Sequence, residues 1–333
     1  MAKIGMEKKL STNRIDGLVL SAISGLYIVQ TGDQVLDCSL RGNLKKNFTY
    51  STSDSRAKRV TRAKHPHTND TVAVGDRVRL TLGSNNSGVI EEILPRKSSF
   101  ARSGFRGQEQ TVVCNLDQIF IVFACSEPRP DPWKVDRFLA AAEAEDINTI
   151  IIANKADLLP LEDIPAIFEE WSRVGYRVII TSTHTETGMD ELQEALVGKI
   201  SAFVGPSGVG KSSLLNTLHP NLKLRTKSIG YVTFKGKHTT TASQLIPLEC
   251  GGWVADTPGL RNLDLVETDR TFVSYCFPEM APLIGKCRFE DCRHEAEPDC
   301  AIKNAVESGE ISSRRYESLL AMSVPAGAQP SHR

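Results

Sequence analysis

The sequence lacks any long uninterrupted hydrophobic run. Its best apolar runs, Ile119–Cys125 and Thr149–Ala153, are far shorter than the roughly 18–20 residues that a membrane-spanning helix needs. The N-terminal lysines are not followed by the apolar segment of a secretory signal, because polar residues and glycines interrupt Ile15–Val29. We therefore expect a cytoplasmic protein with no membrane partner.

The sequence also lacks net charge, with 40 basic and 40 acidic side chains in 333 residues. This balance argues against a uniformly basic nucleic-acid binder. The charges are nevertheless segregated: residues 1–100 hold 16 basic and 9 acidic side chains, whereas residues 101–200 hold 9 and 17. The neutral total therefore does not exclude a basic surface in the N-terminal part of the chain.

The sequence pattern divides the chain into three parts. From residue 14 to about 95, short β-prone runs between Gly, Asp and Asn turns predict a small, OB-like β-barrel. From about 99 to 269, apolar strands alternate with helical segments, which predicts a parallel sheet with helices on both faces. A Cys/His cluster and one helical segment, Ala301–Met322, follow. We therefore predict a multidomain α/β protein with domains at 1–98, 99–270 and 271–333, the last ending in a disordered tail.

One strongly basic segment, residues 41–67, lies within the predicted barrel region. It contains a single acid, Asp54, and two rings that can stack on bases, Phe48 and Tyr50. OB-like barrels bind oligonucleotides through charge and stacking, although a basic segment can also be a solvated connector. Its position beside β-prone runs favours RNA binding. The predicted RNA contacts are Arg41, Lys45, Lys46, Arg56, Lys58, Arg59, Arg62 and Lys64.

The strongest motif is a phosphate-binding loop of the form GxxxxGK[ST], placed between a predicted strand and a predicted helix. Its glycines allow successive backbone N–H groups to point at phosphate oxygens. Lys211 supplies a cation for the β- and γ-phosphates, and the Ser212 hydroxyl is a ligand for Mg²⁺. The predicted nucleotide contacts are Gly205, Pro206, Ser207, Gly208, Val209, Gly210, Lys211, Ser212 and Ser213.

Two further segments fit the phosphate end of a nucleotide site. In the sequence Asp256-Thr257-Pro258-Gly259, at the end of an apolar strand, Asp256 can hold Mg²⁺ through water and the Gly259 N–H can sense the γ-phosphate. One threonine of residues 239–241 can complete the Mg²⁺ coordination in the triphosphate state. We take Thr240 as this ligand, although three adjacent threonines leave the choice open.

The motif Asn154-Lys155-Ala156-Asp157 predicts that the base is guanine. The Asp157 carboxylate can accept hydrogen bonds from the N1–H and the exocyclic amine of guanine, a pattern that adenine does not offer. Lys155 can lie over the base, and Ser182 is placed for a supporting contact. These residues predict binding of GTP and GDP, and they argue against an ATP-dependent enzyme.

The order of these motifs indicates a circular permutation. The guanine motif precedes the phosphate-binding loop, which precedes residues 256–259, whereas ordinary GTPases place the phosphate-binding loop first. Permutation preserves a core when the natural termini are close in space. The last nucleotide motif therefore leads directly into the C-terminal part of the chain.

The C-terminal part contains three cysteines and a histidine with the spacing of a metal site. Cys287, Cys292, His294 and Cys300 form a set of four protein ligands. Such a set is typical of a tetrahedral, structural Zn²⁺ site that has no open position for water. We expect the folding of this segment to depend on the metal.

These motifs, in this order and followed by Arg314-Arg315-Tyr316, resemble those of the RsgA family of ribosome small-subunit-dependent GTPases. The resemblance covers nearly the whole chain. It implies a late-acting assembly factor that binds the small ribosomal subunit and its rRNA. It further implies that the subunit stimulates hydrolysis of GTP to GDP and phosphate, and that this hydrolysis times the release of the factor from the subunit. We expect a monomer. An alternative is an RNA-binding module in which the nucleotide mainly regulates affinity.

The residue that would orient the attacking water differs from that of Ras-like proteins. Leu260 follows residues 256–259, where Ras-like proteins have a glutamine, so we predict slow intrinsic hydrolysis. The family resemblance implies that His238, with Lys211, contributes to catalysis. His238 could equally serve in packing or in contact with rRNA.

Overall fold

The computed structural model describes residues 14–23, 25–42, 72–103, 109–219, 243–256 and 270–322. The chain forms two compact units. The first comprises Met1–Asn115 and Ala242–Leu245, and the second comprises Leu116–Thr241 and Ile246–Arg333. The guanine motif, the phosphate-binding loop and the Cys/His cluster all belong to the second unit.

The first unit contains a closed five-stranded barrel. Its strands are β1 (Arg14–Ile23), β2 (Leu26–Thr31), β3 (Gln34–Leu40), β4 (Arg77–Leu82) and β5 (Ser87–Ile93). The order β1-β2-β3-β5-β4 closes on itself because β4 also pairs with β1, and β3 and β5 form the one parallel pair of the ring. Alternate side chains such as Val29, Leu36 and Leu80 point into its core. The predicted β-barrel is therefore confirmed.

A two-stranded antiparallel hairpin follows the barrel, formed by β6 (Ser99–Ser103) and β7 (Glu109–Cys114). The sequence analysis missed this hairpin. Charged and polar residues are frequent between residues 102 and 110, so the segment lacks the apolar run or the strict alternation from which a strand is predicted.

The second unit contains a parallel sheet. Its strands are β8 (Gln118–Ala124), β9 (Asn148–Asn154), β10 (Arg177–Ile180), β11 (Ile200–Val204) and β13 (Trp253–Asp256). Strand β12 (Gln244–Pro247) precedes β13 in the sequence, and its first two residues belong to the first unit. The order β10-β9-β8-β11-β13 is parallel throughout. Strand β8 is buried along its whole length, as expected for a sheet covered by helices. The predicted parallel α/β sheet is confirmed.

Four helices connect these strands: α1 (Pro132–Glu143), α2 (Ile164–Arg173), α3 (Met189–Leu196) and α4 (Lys211–Leu218). The Asp131 carboxylate caps α1 by accepting from the Trp133 N–H at 3.1 Å. Apolar side chains of α3 and α4, such as Leu192 and Leu214, pack in one core with Phe120 and Val122 of β8. Helices α3 and α4 therefore bury an apolar face against the sheet.

The C-terminal part contains α5 (Arg270–Val273), α6 (Ala301–Glu307) and α7 (Ser313–Met322). The predicted single helix Ala301–Met322 is wrong in one respect, because residues 308–312 interrupt it. Gly309 lies there with φ +78°, a conformation that ends helices and that glycine adopts without strain. None of the helices in the described ranges has the length and apolar composition of a membrane span.

A buried charge network joins α7 to the helices of the parallel sheet. Asp136 on α1 is fully buried, and its carboxylate accepts hydrogen bonds from Trp171 at 2.7 Å and Ser318 at 2.6 Å. It also forms ion pairs with Arg314 and Arg315, both at 2.7 Å. The C-terminal part is thereby fixed to the nucleotide-binding part within one compact unit.

Arg315 is the largest fully buried side chain in the described part of the chain. Its guanidinium donates two hydrogen bonds to the Glu279 carboxylate, at 2.7 and 2.8 Å, and lies over the Phe277 ring at 4.8 Å. Since a buried cation is tolerated only when it is paired and hydrogen-bonded, Arg315 depends on both Glu279 and Asp136.

We expect Asp136→Ala to lower the free energy of unfolding by about 3–5 kcal/mol, because it removes one of the two carboxylates that pair with the buried Arg315 guanidinium. Urea unfolding measures this change. The matched control is Glu169→Ala, which removes the exposed ion pair with Arg173 and should cost less than about 1 kcal/mol. Equal losses in the two variants would contradict this role of Asp136.

Candidate functional site

The carboxyl ends of the parallel strands bring the predicted nucleotide motifs to one edge of the sheet. Asn154 ends β9, Asp256 ends β13, and the phosphate-binding loop connects β11 to α4. Thr181 and Ser182 follow β10. In open parallel sheets, ligands bind outside this edge. Segments that are far apart in the sequence therefore face a common site.

The glycines of the phosphate-binding loop are required by its backbone. Gly205, Gly208 and Gly210 have φ values of +138°, +83° and +98°, which other residues rarely adopt. A Cβ atom on Gly205 would lie 2.2 Å from the carbonyl oxygen of Val122, and one on Gly210 would lie 2.3 Å from Nδ2 of Asn154. The loop thus packs too closely on β8 and on the guanine motif to accommodate a side chain at either position.

Asn154 joins the guanine motif to the phosphate-binding loop. Its Nδ2 donates to the carbonyl oxygen of Val209 at 2.8 Å, and its Oδ1 accepts from the Thr181 hydroxyl at 3.0 Å. The side chain is only 2% exposed, so its hydrogen bonds are shielded from water. Asn154 therefore positions three segments relative to one another. The sequence predicts a supporting guanine contact in the segment Thr181-Ser182-Thr183, but it did not reveal the hydrogen bond from Thr181 to Asn154.

Lys155 is held across the site by a segment that the sequence analysis did not include. Its backbone is left-handed, with φ +61°, and its Nζ donates to the carbonyl oxygen of Glu127 at 2.5 Å. Pro128 follows Glu127, and its Cδ lies 3.9 Å from a Cβ atom built on Gly208. Residues 127 and 128 thus lie beside both nucleotide motifs. No motif marks them, because a backbone carbonyl is the group that acts.

Asp157 is exposed and is oriented by Ser182. The Ser182 hydroxyl is fully buried and donates to Oδ1 of Asp157 at 2.5 Å. The oxygen of the Ser182 hydroxyl accepts hydrogen bonds from the backbone N–H groups of His184 and Thr185, at 3.1 and 3.3 Å. The hydrogen bond from Ser182 lowers the pKa of Asp157 below its ordinary value. The carboxylate therefore stays ionised, in the form that only accepts hydrogen bonds.

The phosphate end of the site has the cationic and backbone groups that phosphates need. Nζ of Lys211 donates to the carbonyl oxygens of Gly205 and Pro206, at 2.7 and 2.6 Å. Ser212 and Ser213 lie in the first turn of α4, whose N-terminus favours anions. Ser207 and Gly208 are exposed at the tip of the loop.

Several predicted site residues lie outside the described residues. These are His238, Thr240, Gly259, Lys45, Lys46, Arg56, Lys58, Arg59, Arg62 and Lys64. Of the predicted RNA contacts, only Arg41 is described; its guanidinium forms an ion pair with Glu91, and its side chain is 56% exposed.

The predicted metal ligands lie together in the C-terminal part. One ligand atom from each of Cys287, Cys292, His294 and Cys300 lies within 4.8 Å of all the others. Sγ of Cys287 and Sγ of Cys300 are 3.9 Å apart, and Nδ1 of His294 is 3.5 and 3.4 Å from them. Donors at the Zn–S and Zn–N distances of a tetrahedral site would be about 3.8 Å (S to S) and about 3.6 Å (S to N) apart.

The environment of the cluster also fits a structural metal. Burial raises the pKa of Cys292 to about 12 and also raises the pKa of Cys300, while it lowers the pKa of His294. A bound cation replaces the thiol protons. The Tyr316 hydroxyl on α7 donates to the carbonyl oxygen of His294 at 2.5 Å, which fixes the backbone of this ligand. The donor set is closed and compatible with a structural metal.

The fold and the order of the motifs define a circularly permuted P-loop GTPase with an N-terminal β-barrel and a C-terminal Cys₃His cluster. The family model of the RsgA GTPase matches residues 93–266, and that of the RsgA N-terminal domain matches residues 16–90. The chain belongs to the RsgA GTPase family. The predicted family, fold class and GTP-hydrolase class are therefore confirmed.

Curated relatives match over nearly the whole chain. "Small ribosomal subunit biogenesis GTPase RsgA" of Moorella thermoacetica is 40% identical over 92% of this chain and 95% of its own length. The protein of the same name from Gemmatimonas aurantiaca is 41% identical over 93% and 96%.

Two solved structures share the fold. The crystal structure of YjeQ from Thermotoga maritima has 34% identity and a TM-score of 0.74, and it covers 93% of this chain and 97% of its own. The structure of YloQ, described as a circularly permuted GTPase, has 29% identity and a TM-score of 0.71, and it covers 97% and 96%.

We expect Ser182→Ala to weaken GTP binding about fivefold at neutral pH, because Asp157 loses a hydrogen bond that orients it. The loss should grow as the pH falls. Ser182 lowers the pKa of Asp157, so without Ser182 the carboxylate becomes protonated at a higher pH and ceases to accept from guanine. Equilibrium binding of a fluorescent GTP analogue from pH 7 to pH 4 measures both effects.

The control for this experiment is Thr183→Ala, which removes the neighbouring hydroxyl and should leave the binding profile as in the wild type. If the Ser182→Ala profile coincided with that of the wild type at every pH, Ser182 would not act through Asp157.

Proposed function

We propose that this protein is a GTPase of late small ribosomal subunit maturation, which hydrolyses GTP to GDP and phosphate to time its release. We further propose that it works in the cytoplasm as a monomer. The observation that carries this proposal is the position of Asn154, hydrogen-bonded to Val209 and Thr181. It supports a preassembled guanine-nucleotide site in a chain whose curated relatives are named for small ribosomal subunit biogenesis.

At the base end of the site, we propose that Asp157 accepts from N1–H and the exocyclic amine of guanine. The Ser182 hydroxyl holds this carboxylate from one side. Lys155 lies over the base, with its ammonium held by the Glu127 carbonyl. Adenine has an acceptor at N1 and no amine at position 2, so it offers Asp157 no donor and ATP is rejected.

At the phosphate end, the backbone N–H groups of the loop bind the β- and γ-phosphates. When GTP binds, Nζ of Lys211 leaves the carbonyl oxygens of Gly205 and Pro206 and donates to phosphate oxygens instead. Its positive charge then stabilises the negative charge that develops on these oxygens during phosphoryl transfer. Ser212 and Thr240 are the proposed protein ligands of Mg²⁺, and Asp256 holds the ion through water. Gly259 contacts the γ-phosphate.

We propose that the isolated protein hydrolyses GTP slowly and that the small subunit stimulates it. Leu260 takes the place of a water-orienting glutamine, so the chain lacks one group that ordinary GTPases use. His238 is the proposed substitute, which positions the attacking water when the protein is bound to the subunit. Contact with rRNA uses the barrel and the basic residues of segment 41–67.

We propose that the Cys₃His cluster binds one Zn²⁺, which has a structural role. The distances between the donors and the closed ligand set support this assignment. The ion would fix the loop between Cys287 and Cys300 against α7, where Tyr316 donates to His294. It takes no part in hydrolysis.

The test of the proposed function is GTP turnover with and without purified small ribosomal subunits. We expect stimulation of at least about 10-fold, since supplying a missing transition-state contact accelerates GTPases by larger factors. Lys211→Ala should bind subunits but release them poorly, because hydrolysis is lost. Lys134→Ala, which removes an exposed ammonium from the same unit outside the phosphate-binding loop, is the control and should behave as the wild type.

Absence of stimulation would contradict the proposed function. Normal release of Lys211→Ala from subunits would also contradict it and would favour an RNA-binding module in which hydrolysis is incidental.

A further inference from the structure

One loop beside the nucleotide site has no part in the proposed GTPase cycle beyond a single backbone carbonyl. This loop, residues 125–131, connects β8 to α1 and starts at the carboxyl edge of the parallel sheet. At its start, the backbone N–H of Cys125 donates to the carbonyl oxygen of Asn154 at 2.8 Å. At its end, the Asp131 side chain caps α1. The loop is therefore fixed at both ends.

The middle of the loop lies beside both the guanine motif and the phosphate-binding loop. The Glu127 carbonyl accepts from Nζ of Lys155 at 2.5 Å, and Cδ of Pro128 lies 3.9 Å from a Cβ atom built on Gly208. Gly208 is at the exposed tip of the phosphate-binding loop, whose backbone N–H groups surround the α- and β-phosphates in sites of this type. Residues 127 and 128 therefore lie close to where the phosphate chain would bind.

Arg129 is the next residue, and it is exposed. Its Cα lies about 3.8 Å from that of Pro128. Because an arginine side chain is longer than this distance, the guanidinium can reach the tip of the phosphate-binding loop. Pro130 follows and restricts Arg129 to extended backbone conformations. A cation on such a stiff backbone loses less conformational freedom when it binds a ligand.

The charge of Arg129 is unpaired. Residues 116–200 are all described, and they contain seven lysine and arginine side chains. Six of these seven have a hydrogen bond or an ion pair: Lys134, Arg137, Lys155, Arg173, Arg177 and Lys199. Arg129 has neither within the described part of the chain. It is thus the one cation of this stretch that is available to bind an anion, and it lies beside a phosphate-binding loop.

We propose that the Arg129 guanidinium donates hydrogen bonds to phosphate oxygens of bound GTP and GDP. This inference rests on the proposed function, since it requires the nucleotide site. A guanidinium is always charged, and its planar set of donors matches a phosphate group with two parallel hydrogen bonds. The phosphates near Gly208 are common to GTP and GDP, so Arg129 adds affinity for both. The contact is equally strong in the ground state and the transition state, and it therefore lowers KM without changing kcat.

Arg129→Ala tests this proposal in the full-length protein without ribosomal subunits. The affinities for GTP and GDP, measured by displacement of a fluorescent GDP analogue, should each fall about tenfold, since a charge-assisted hydrogen bond is lost. The affinity for guanosine, which has no phosphate, should be unchanged. Arg129→Lys keeps the charge but loses the paired donors, and should weaken binding about threefold. In Arg129→Ala, kcat at saturating GTP should be the same as in the wild type.

The matched control is Arg173→Ala. It removes an exposed guanidinium from the same unit, at the end of α2 and away from the carboxyl edge of the sheet, and should leave the affinities for GTP and GDP as in the wild type. The comparison separates a local contact from the general effect of removing one positive charge. The difference between Arg129→Ala and the wild type should also shrink as the salt concentration rises.

The proposal is wrong if Arg129→Ala binds GTP and GDP as the wild type does, even if its binding to small ribosomal subunits falls, because Arg129 would then contact phosphates of RNA. It is also wrong if Arg173→Ala weakens nucleotide binding equally, or if Arg129→Ala lowers kcat without lowering affinity. If the wild type itself did not bind GTP, the proposed function would fail, and this inference with it.

Discussion

The nucleotide site depends on one buried side chain, Asn154, which holds together three segments that are far apart in the sequence. Its amide donates to the phosphate-binding loop and accepts from Thr181, and these bonds require Gly210 to have no side chain. The parallel strands provide the common edge, but Asn154 sets the distance between the base end and the phosphate end. Ser182, the residue after Thr181, then orients Asp157 by donating a hydrogen bond to its carboxylate.

The permuted order has a structural consequence for the C-terminal part. Strand β13 ends at Asp256, and the chain continues from there into the part that holds the Cys₃His cluster. That part belongs to the same compact unit as the parallel sheet, and the buried bonds from Asp136 to Arg314 and Arg315 fix it to α1. The C-terminal part is therefore joined to the nucleotide-binding part by the chain that follows Asp256 and by the buried ion pairs at α1.

Much of the fold and the site could be predicted from the sequence, because strong local signals carry them. Uninterrupted apolar runs indicated buried parallel strands, and the phosphate-binding glycines have backbone conformations that only glycine adopts easily. The contacts that arise only in three dimensions were missed: the Glu127 carbonyl that holds Lys155, and the network around Asp136. A backbone carbonyl has no sequence signature, and an Asp–Arg pair 179 residues apart cannot be recognised without the fold.

The central claim is that the three motifs form one guanine-specific site, and base selectivity tests it most directly. Equilibrium affinities for GTP, ATP and xanthosine triphosphate should be compared in the wild type and in Asp157→Asn. The account predicts that the wild type prefers GTP to ATP by at least about 100-fold. Asp157→Asn should prefer xanthosine triphosphate, because an amide donates to the extra carbonyl of xanthine. Equal affinity of the wild type for ATP and GTP would contradict it.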